Sequence, residues 1–485
     1  MPEIVCPLAE AAREYGNREA IITDLRIITY SEYDRQVTYT ASLLKEKGVT
    51  SGHRVGIVLP NSIEYPILLV ALYRLGAVAC PVSQRWPARL TADYLAGLDC
   101  RTIITDTGSQ DLKPYHRFDL IVVDEVVNTG HPAASSSVQP ATISLEQAAT
   151  VIATSGTSSL PKAVLHSYDN HYFSAIGSNM NITVRPGDRW LLSLPLYHVG
   201  GLAILFRTMS GGGAVVMPNS DTDLSDSIER YLVTHLSLVP TQLQHLLKTA
   251  TPIDVIKRLA AVLVGGAPLP TSLVEQAYQA GLPLYTTYGL TEMASQVTTT
   301  RPGDPPDKLL TSGTTLKHRR LRIADDGEIL TKGDTLFLGY VSPNGINLPL
   351  DKDGWFHTGD LGEIDNDGYL TIHGRRDNMF ISGGENIHPE HLEGTMSLLS
   401  FVEEAVVIPI ADSEFGHRPV AVIRTGDGRI VHKTDLIRQL EELVPRFMIP
   451  VEFYFWPDAI PDSGIKPARY QLRQLLESGK LTEIT

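Results

Sequence analysis

Short apolar runs alternate with stretches of helical periodicity over the first two-thirds of the chain. Val55–Leu59 and Ala77–Pro81 are typical of buried strands, and Ile63–Leu75 between them has the length and apolar spacing of a helix. The same alternation continues as far as Val264. Strands that alternate with helices favour mostly parallel sheets covered by helices on both faces. The sequence therefore predicts an α/β fold with a large N-terminal domain.

The pattern changes towards the C-terminus. From about residue 325 Gly, Asp and Asn become frequent and the predicted strands shorten, which indicates hairpins and a small barrel-like part. After Gly374 a smaller unit begins, in which Leu436, Leu440 and Leu443 share one predicted helix face. Its predicted helices and strands are Pro389–Leu398, Ala405–Ile408, Val420–Arg424 and Thr434–Leu443. We predict an N-terminal domain of residues 1–374, a mobile α+β domain of residues 375–485, and a hinge near residues 375–378.

Composition and charge exclude several classes of protein. A chain of 485 residues with 43% hydrophobic and 20% charged residues is typical of several globular domains and excludes extensive disorder. The formal charge of −14 opposes nucleic-acid binding, so an anionic ligand needs a local cluster of donors. The most apolar run, Ile67–Tyr73, is shorter than the roughly 20 residues of a membrane span. With three scattered cysteines and no signal-peptide pattern, these features predict a cytoplasmic protein without an integral membrane segment.

A polar segment after a predicted strand is the first candidate for binding chemistry. The residues Thr154-Ser-Gly-Thr-Ser-Ser-Leu-Pro-Lys162 follow the apolar strand Thr150–Ala153. Backbone N–H groups around Gly156, the neighbouring hydroxyls and the charge of Lys162 could together hold a polyphosphate. The segment is not a P-loop, because no Gly-Lys pair follows Gly156. Taken alone, it is equally compatible with a polar surface turn and a solvated lysine.

Two later segments add further groups of the same kind. Tyr288-Gly-Leu-Thr-Glu292 follows a predicted strand and offers an aromatic face for a base, a hydroxyl for a phosphate and a carboxylate for Mg²⁺. Asp360 lies in the glycine-flanked stretch Gly354–Gly362, where its carboxylate could accept both hydroxyls of a ribose. A strand end followed by a helix-initiating Glu, and a turn Asp, are the structural alternatives.

Taken in this order, the three segments resemble the ATP-binding motifs of the adenylate-forming enzymes. That superfamily includes acyl-CoA ligases, adenylation domains of peptide synthetases and luciferases. The sequence also contains its Gly374-Arg-Arg-Asp377 hinge, its Gly383-Gly384 segment and a C-terminal lysine, Lys466, so the resemblance extends from Ile28 to Arg469. It departs from the pattern in two places. Ser159 and Ala163 replace usual glycines, and Gly464-Ile-Lys466 is one residue longer than the usual Gly-Lys.

The resemblance implies a two-step reaction that uses ATP, Mg²⁺ and coenzyme A. An acid first forms an acyl-adenylate and pyrophosphate, and the thiol of coenzyme A then forms a thioester and releases AMP. The implied catalytic residues are Lys162, Glu292 and Lys466, and the implied metal ligands are Glu292 and Thr157. The implied ATP and AMP contacts are Thr154, Ser155, Gly156, Thr157, Lys162, Gly266, Ala267, Pro268, Tyr288, Gly289, Thr291, Asp360, Arg375 and Lys466. Gly383 and Gly384 are implied at the coenzyme A site, and Asp377 is the implied hinge.

More specific patterns concern the acid. The stretches Leu194–Gly201, Ser237–Gln242, Phe380–Pro389 and Asp412–Val420 resemble the o-succinylbenzoate–CoA ligases of menaquinone biosynthesis. The substrate of those enzymes is a dicarboxylate, so one carboxylate stays charged in the pocket and needs a partner. The expected acyl-site residues are His198, Gly201 and Arg207, with His198 as a gate and Arg207 as the partner of that carboxylate. A core histidine and a surface arginine at a helix end are the alternatives.

Other functions remain open at this stage. A fatty or aryl acid–CoA ligase of the same fold would need no second cation in its pocket. A free-standing adenylation domain would load a carrier protein instead of coenzyme A, and a non-catalytic regulator would bind the nucleotide only. The presence of Lys162, Glu292, Asp360, Asp377 and Lys466 together argues against the regulator. The expected partners are small molecules, namely a carboxylic acid, ATP and coenzyme A, and the sequence is compatible with a homo-oligomer.

Overall fold

A computed structural model describes most of the chain. The described residues are 3–106, 113–127, 141–154, 161–219, 222–249, 253–267, 269–399, 401–426, 431–458, 460 and 469–485. Their α-helices are α1 Pro7–Tyr15, α2 Tyr30–Glu46, α3 Glu64–Arg74, α4 Ala88–Gly97, α5 Val123–Val126, α6 Tyr168–Asn179, α7 Val199–Gly211, α8 Leu224–Arg230, α9 Pro240–Lys248, α10 Ile253–Ile256, α11 Thr271–Gln279, α12 Pro306–Leu309, α13 Pro389–Met396, α14 Lys433–Glu441 and α15 Arg469–Glu477.

The strands form two large and three small sheets within those residues. They are β1 Glu3–Val5, β2 Glu19–Thr23, β3 Ile27–Thr29, β4 Arg54–Val58, β5 Val78–Pro81, β6 Thr102–Thr105, β7 Asp119–Val122, β8 Thr142–Ser144, β9 Ala148–Thr154, β10 Lys162–Ser167, β11 Arg189–Leu191, β12 Ala214–Met217, β13 His235–Leu238, β14 Ala261–Val264, β15 Leu284–Leu290, β16 Ser295–Thr299, β17 Thr314–Thr315, β18 Arg319–Ile323, β19 Glu328–Gly333, β20 Gly339–Ser342, β21 Gly345–Asn347, β22 Phe356–Ile364, β23 Leu370–Arg375, β24 Phe380–Ser382, β25 Glu385–Ile387, β26 Val402–Asp412, β27 Gly416–Thr425 and β28 Glu452–Phe455.

The two large sheets confirm the predicted α/β class. One has the order β21-β20-β10-β9-β5-β4-β6-β7, and its strands from β9 to β7 are parallel. The other has the order β17-β16-β15-β14-β13-β11-β12-β2-β3, and its strands from β15 to β2 are parallel. The antiparallel strands lie at the ends of both sheets, where β10 pairs with β20 and β15 pairs with β16. Several of the predicted site residues, among them Lys162 and Tyr288, lie on these antiparallel pairs.

Helix α3 shows why this sequence buries so much surface. All nine residues from Tyr65 to Tyr73 are buried, and the helix is part of the largest apolar cluster of the protein. A helix that is apolar on every side is stable only when neighbours cover it completely. The observed helix agrees closely with the predicted span Ile63–Leu75. Its apolar residues are consecutive, so burial on all sides rather than an amphipathic pattern marks this helix.

The C-terminal part is built from smaller antiparallel units. The sheet β18-β19-β22-β23 stands where the barrel-like part was predicted, and β25-β24-β27-β26, extended by β28, forms the last sheet. A separate apolar core, which extends from Phe380 to Ile484, includes Leu436 and Leu440. The prediction for Leu443 was wrong: the helix ends at Glu441, and Leu443 is 46% exposed. No helix in the described part of the chain is both long and apolar enough to cross a bilayer.

Candidate active site

Lys162 and Glu292 are brought together by a residue that the sequence analysis did not single out. Lys162 begins β10, and Tyr340 lies on the neighbouring strand β20. The Lys162 ammonium lies 5.2 Å from the centre of the Tyr340 ring, a cation–π distance, and the Tyr340 hydroxyl donates to Glu292 Oε1 at 2.7 Å. Burial, reinforced by the Glu292 charge, raises the pKa of Tyr340 well above its ordinary value, so the hydroxyl stays a donor. One aromatic side chain therefore positions both predicted catalytic groups.

A buried histidine fixes the backbone of Thr291. His166 Nε2 lies 2.7 Å from the Thr291 carbonyl oxygen, while His166 Nδ1 lies 3.3 Å from the hydroxyl of Thr150. The same hydroxyl is 2.7 Å from Nε2 of His171, so the two rings share it. Burial lowers the pKa of His166 to about 4, and the ring is therefore neutral at pH 7. A neutral ring that accepts from Thr150 at Nδ1 can donate its Nε2–H to Thr291.

A signal for His166 was present in the sequence. Lys162, Val164 and His166 alternate along one strand, and alternate residues of a strand point to the same face. Once Lys162 is assigned to the site, His166 follows on that face. Sequence reasoning had left His166, His171 and His235 without a role.

Asp360 and its neighbours form a second part of the site. The Tyr288 hydroxyl donates to Asp360 Oδ2 at 2.6 Å, and Arg375 Nη1 donates to Asp360 Oδ1 at 3.1 Å across the β22–β23 pair. Burial and the Asp360 charge raise the pKa of Tyr288 well above its ordinary value. Burial alone would lower the pKa of Arg375, but the carboxylates of Asp360 and Asp377 offset this and raise it. The structure thus joins three of the predicted nucleotide-binding residues.

Gly289 has a structural reason to be glycine. It pairs with Gln296 across β15 and β16, and a Cβ at this position would overlap the carbonyl oxygen of Ser295. The close approach of the two strands therefore excludes any side chain here. A nucleotide contact at Gly289 stays a prediction.

The acyl-site predictions fall on helix α7 and its start. His198 occupies the N-terminal cap of α7, and Gly201 is buried in its first turn. Arg207 is not a surface residue at a helix end: it lies inside the helix, is 1% exposed, and donates from Nη2 to Gln296 Oε1 at 2.7 Å. Its guanidinium also lies 5.2 Å from the Trp190 ring centre. Burial lowers the pKa of Arg207 to about 9, which reflects the cost of holding this charge away from water.

The remaining predicted residues divide into two groups. Gly383 and Gly384 form the turn between β24 and β25 with φ values of 60° and 90°, and Asp377 lies between β23 and β24 with a side chain that is 62% exposed. Thr154 ends β9 opposite Lys162, and Gly266 and Ala267 form an exposed turn after β14. Ser155, Gly156, Thr157, Pro268 and Lys466 lie outside the described residues.

The donor set suits magnesium bound together with a phosphate. Within the described residues no group of three or more His, Cys, Asp or Glu side chains could hold a metal ion. Glu292 instead offers a single carboxylate, with one oxygen held by Tyr340. Mg²⁺ commonly binds through one or two carboxylates and completes its shell with substrate phosphates and water. The residues present therefore fit Mg²⁺ that arrives with ATP.

Comparisons with known proteins agree with this geometry. A family model described as AMP-binding enzyme matches residues 8–341. The 2-succinylbenzoate–CoA ligases of Bacillus cereus (strain ATCC 14579) and Bacillus cytotoxicus are 32% and 33% identical over 473 residues, which cover 95% of this chain and 96% of each relative. The chain belongs to the AMP-binding enzyme family. Within that family it is similar along almost its whole length to 2-succinylbenzoate–CoA ligases.

Solved structures show the same similarity. The o-succinylbenzoate CoA synthetase of Bacillus subtilis in complex with the acyl-adenylate intermediate OSB-AMP has a TM-score of 0.87 and 30% identity, covering 98% of this chain and 99% of that one. The same synthetase in complex with ATP and magnesium ion has a TM-score of 0.86 and 30% identity, covering 97% and 100%. The superfamily and the fold predicted from the sequence are thereby confirmed.

Proposed function

We propose that this protein is an ATP-dependent o-succinylbenzoate–CoA ligase of menaquinone biosynthesis. The observation that carries the proposal is the joint placement of Lys162, Glu292, Asp360 and Arg375 in a chain similar to such ligases over 95% of its length. In the first step an oxygen of the succinyl carboxylate attacks the α-phosphorus of ATP and pyrophosphate leaves. In the second step the coenzyme A thiolate attacks the acyl carbon and AMP leaves.

The phosphate-binding and metal-binding residues act in the first step. Lys162 holds the β- and γ-phosphates together with Ser155, Gly156 and Thr157, and the Thr291 hydroxyl contacts the α-phosphate. Glu292, with Thr157, binds Mg²⁺, which offsets the charge of the phosphates when it is bound. These donors bring two anions together, which is the main obstacle to forming the adenylate.

Asp360 orients the nucleotide through its ribose. Both of its oxygens already accept one hydrogen bond, from Tyr288 and from Arg375. An ionised carboxylate only accepts hydrogen bonds, and the two hydroxyls of a ribose are donors of matching chemistry. The Tyr288 ring would then stack on adenine, and Gly266, Ala267 and Pro268 would contact the opposite face of the base.

Arg207 is proposed to bind the carboxylate on the aromatic ring. It is buried, charged and paired with no carboxylate in the described part of the chain. A buried charge of this kind is costly unless it is neutralised, and the second carboxylate of o-succinylbenzoate would do so. His198 and Gly201 lie at the N-terminal end of α7, and His198 is proposed as a gate between the acyl and pantetheine channels.

The second step requires the small domain to turn. We place the boundary at residues 375–378, with Asp377 as the pivot, residues 1–374 on one side and residues 375–485 on the other. Turning would replace Lys466, which contacts the reacting carboxylate and α-phosphate in the first step, by Gly383 and Gly384, where a bare backbone lets pantetheine approach closely. A cytoplasmic location completes the proposal.

One assay distinguishes the proposed function from its rivals. ATP–pyrophosphate exchange is measured with o-succinylbenzoate, benzoate, succinate and octanoate, and thioester formation is then measured with coenzyme A. We expect exchange with o-succinylbenzoate well above the other acids, and coenzyme A-dependent thioester. Preference for octanoate or benzoate would assign a fatty or aryl acid ligase. Exchange without thioester would assign an adenylation domain, and no exchange with any acid would contradict an enzyme altogether.

A further inference from the structure

Two buried arginines lie close together, and neither is paired with a carboxylate among the described residues. Arg207 on α7 is 1% exposed, and Arg319 at the start of β18 is 6% exposed. Arg319 donates only to neutral acceptors: the carbonyl oxygens of Gln296 and Lys317, and Ser174. Burial, and then the charge of Arg207, lower the pKa of Arg319 to about 9. The two guanidinium groups therefore repel each other inside the protein.

Gln296 connects the two arginines. Its side-chain oxygen accepts from Arg207 Nη2 at 2.7 Å and from the Ser178 hydroxyl at 2.7 Å, while its backbone oxygen accepts from Arg319 Nε at 2.6 Å. Its amide nitrogen donates to the Thr299 hydroxyl at 2.6 Å, so three contacts fix the orientation of the side-chain amide. This hub is neutral, although a glutamate of almost the same size would give Arg207 a charged partner.

Arg207 also has an N–H group without an acceptor in the described residues, and a partly buried serine lies beside its guanidinium. Arg207 Nε is buried and has no hydrogen-bond acceptor in the described residues. Ser295, three residues after Glu292, is only partly buried, and its hydroxyl is 3.5 Å from Arg207 Nη2. Ser295 has a φ of 110°, a conformation that is unfavourable for a residue with a side chain and that is found preferentially at functional sites. An anion beside Ser295 would thus meet a buried charge and a free N–H donor.

We propose that Gln296 is a specificity-determining residue, which by being neutral leaves the charge of Arg207, reinforced by Arg319, available for the second carboxylate of the acid. The inference rests on the proposed function, because it concerns how the same pocket selects its substrate. A monocarboxylic acid would leave both guanidinium groups uncompensated, whereas a dicarboxylic acid would supply the missing negative charge. Ser295 would add a hydroxyl donor to that carboxylate.

Charge variants of the pocket test this directly. Q296E places a carboxylate on Arg207 with little change in size, and Q296M is the matched neutral control that removes the same hydrogen bonds. S295D brings a carboxylate to Arg207 from the partly exposed side, so it does not depend on burying a new charge. Each variant is first checked for folding by circular dichroism. ATP–pyrophosphate exchange then gives kcat/KM for o-succinylbenzoate and for 4-oxo-4-phenylbutanoate, which has the same keto-acid arm but no ring carboxylate.

The decisive quantity is kcat/KM for o-succinylbenzoate divided by kcat/KM for 4-oxo-4-phenylbutanoate. We expect it to fall at least tenfold in Q296E and S295D and less than threefold in Q296M, with the KM for ATP unchanged in all three. An unchanged ratio in folded Q296E would overturn the inference, and S295D decides it if Q296E does not fold. An equal fall in Q296M would also overturn it, since hydrogen bonding rather than charge would then be responsible. Absence of exchange with o-succinylbenzoate in the unmodified protein would instead refute the proposed function itself.

Discussion

Replacing Tyr340 by Phe should weaken the binding of Mg²⁺ with ATP and leave the KM for the acid unchanged. The substitution removes one hydroxyl, which donates to Glu292 Oε1 at 2.7 Å, and keeps the ring that lies beside Lys162. A hydrogen bond to a charged group contributes roughly 1.5–3 kcal/mol. Glu292 is only partly buried, so water can replace part of this bond, and we take the lower limit. About 1.4 kcal/mol corresponds to a factor of ten, so the Mg²⁺ concentration at half-maximal ATP binding should rise about tenfold.

The assay separates positioning from general destabilisation. ATP binding is followed by calorimetry at increasing Mg²⁺, alongside the KM for o-succinylbenzoate in pyrophosphate exchange. Tyr454 offers a matched control, because its hydroxyl donates to Glu452 Oε2 at the same 2.7 Å in the C-terminal sheet. Y454F should leave the Mg²⁺ dependence unchanged. A Y340F protein with the Mg²⁺ dependence of the unmodified protein would refute the idea that Tyr340 positions Glu292.

Three further predictions concern other parts of the site. Arg207→Leu should raise the KM for o-succinylbenzoate about 30-fold or more, since losing one partner of a buried charge pair costs 2 kcal/mol or more; an unchanged KM would contradict the pairing. Lys466→Ala should lower adenylate formation by about two orders of magnitude and spare thioester formation from supplied acyl-AMP, whereas equal loss of both steps would contradict its role. Because the pKa of His166 is about 4 when folded and about 6.5 when unfolded, the unfolded state binds more protons between these values, and this group should cost about 3 kcal/mol of stability as pH falls from 7 to 4. Urea titrations of His166→Gln should lack that part of the pH dependence, and an identical slope would disprove it.

The sequence predicted the elements whose evidence is local. The apolar runs located several strands of both large sheets. The ordered motifs predicted Lys162, Glu292, Asp360 and Arg375 as site residues, and in the structure Lys162 and Glu292 both contact Tyr340, while Asp360 pairs with Arg375. Leu443 was misplaced because the helical pattern continues beyond the point where the backbone leaves the helix at Glu441. Periodicity records which face a residue would occupy, but not where a helix ends.

Residues that act through distant contacts were missed. Tyr340 lies 48 residues from Glu292, and His166 lies 125 residues from Thr291. Gln296 lies 89 residues from Arg207. The alternation along β10 indicates the face of His166, but no local pattern shows which residues pair, since the pairings arise only when β20 pairs with β10 and α7 packs near β16. The motif residues can therefore be predicted from the sequence alone. The residues that contact them from distant positions can be identified only once the strand pairing and helix packing are known.

The cations of this site are held in two different ways, and the difference has a thermodynamic consequence. Lys162 lies beside Tyr340, and Arg375 is paired with Asp360, so the cations proposed to bind the nucleotide are stabilised before any ligand arrives. Arg207 and Arg319 are buried and donate to neutral acceptors, and neither has a carboxylate partner in the described structure, so the charge of each is not neutralised. A ligand that binds only the folded state stabilises it by RT ln(1 + [L]/Kd). The dicarboxylate would neutralise a buried arginine charge that has no carboxylate partner in the free protein, and this adds to its affinity. The acid alone, without ATP, should therefore raise the melting temperature of this protein, and Arg207→Leu should abolish that rise.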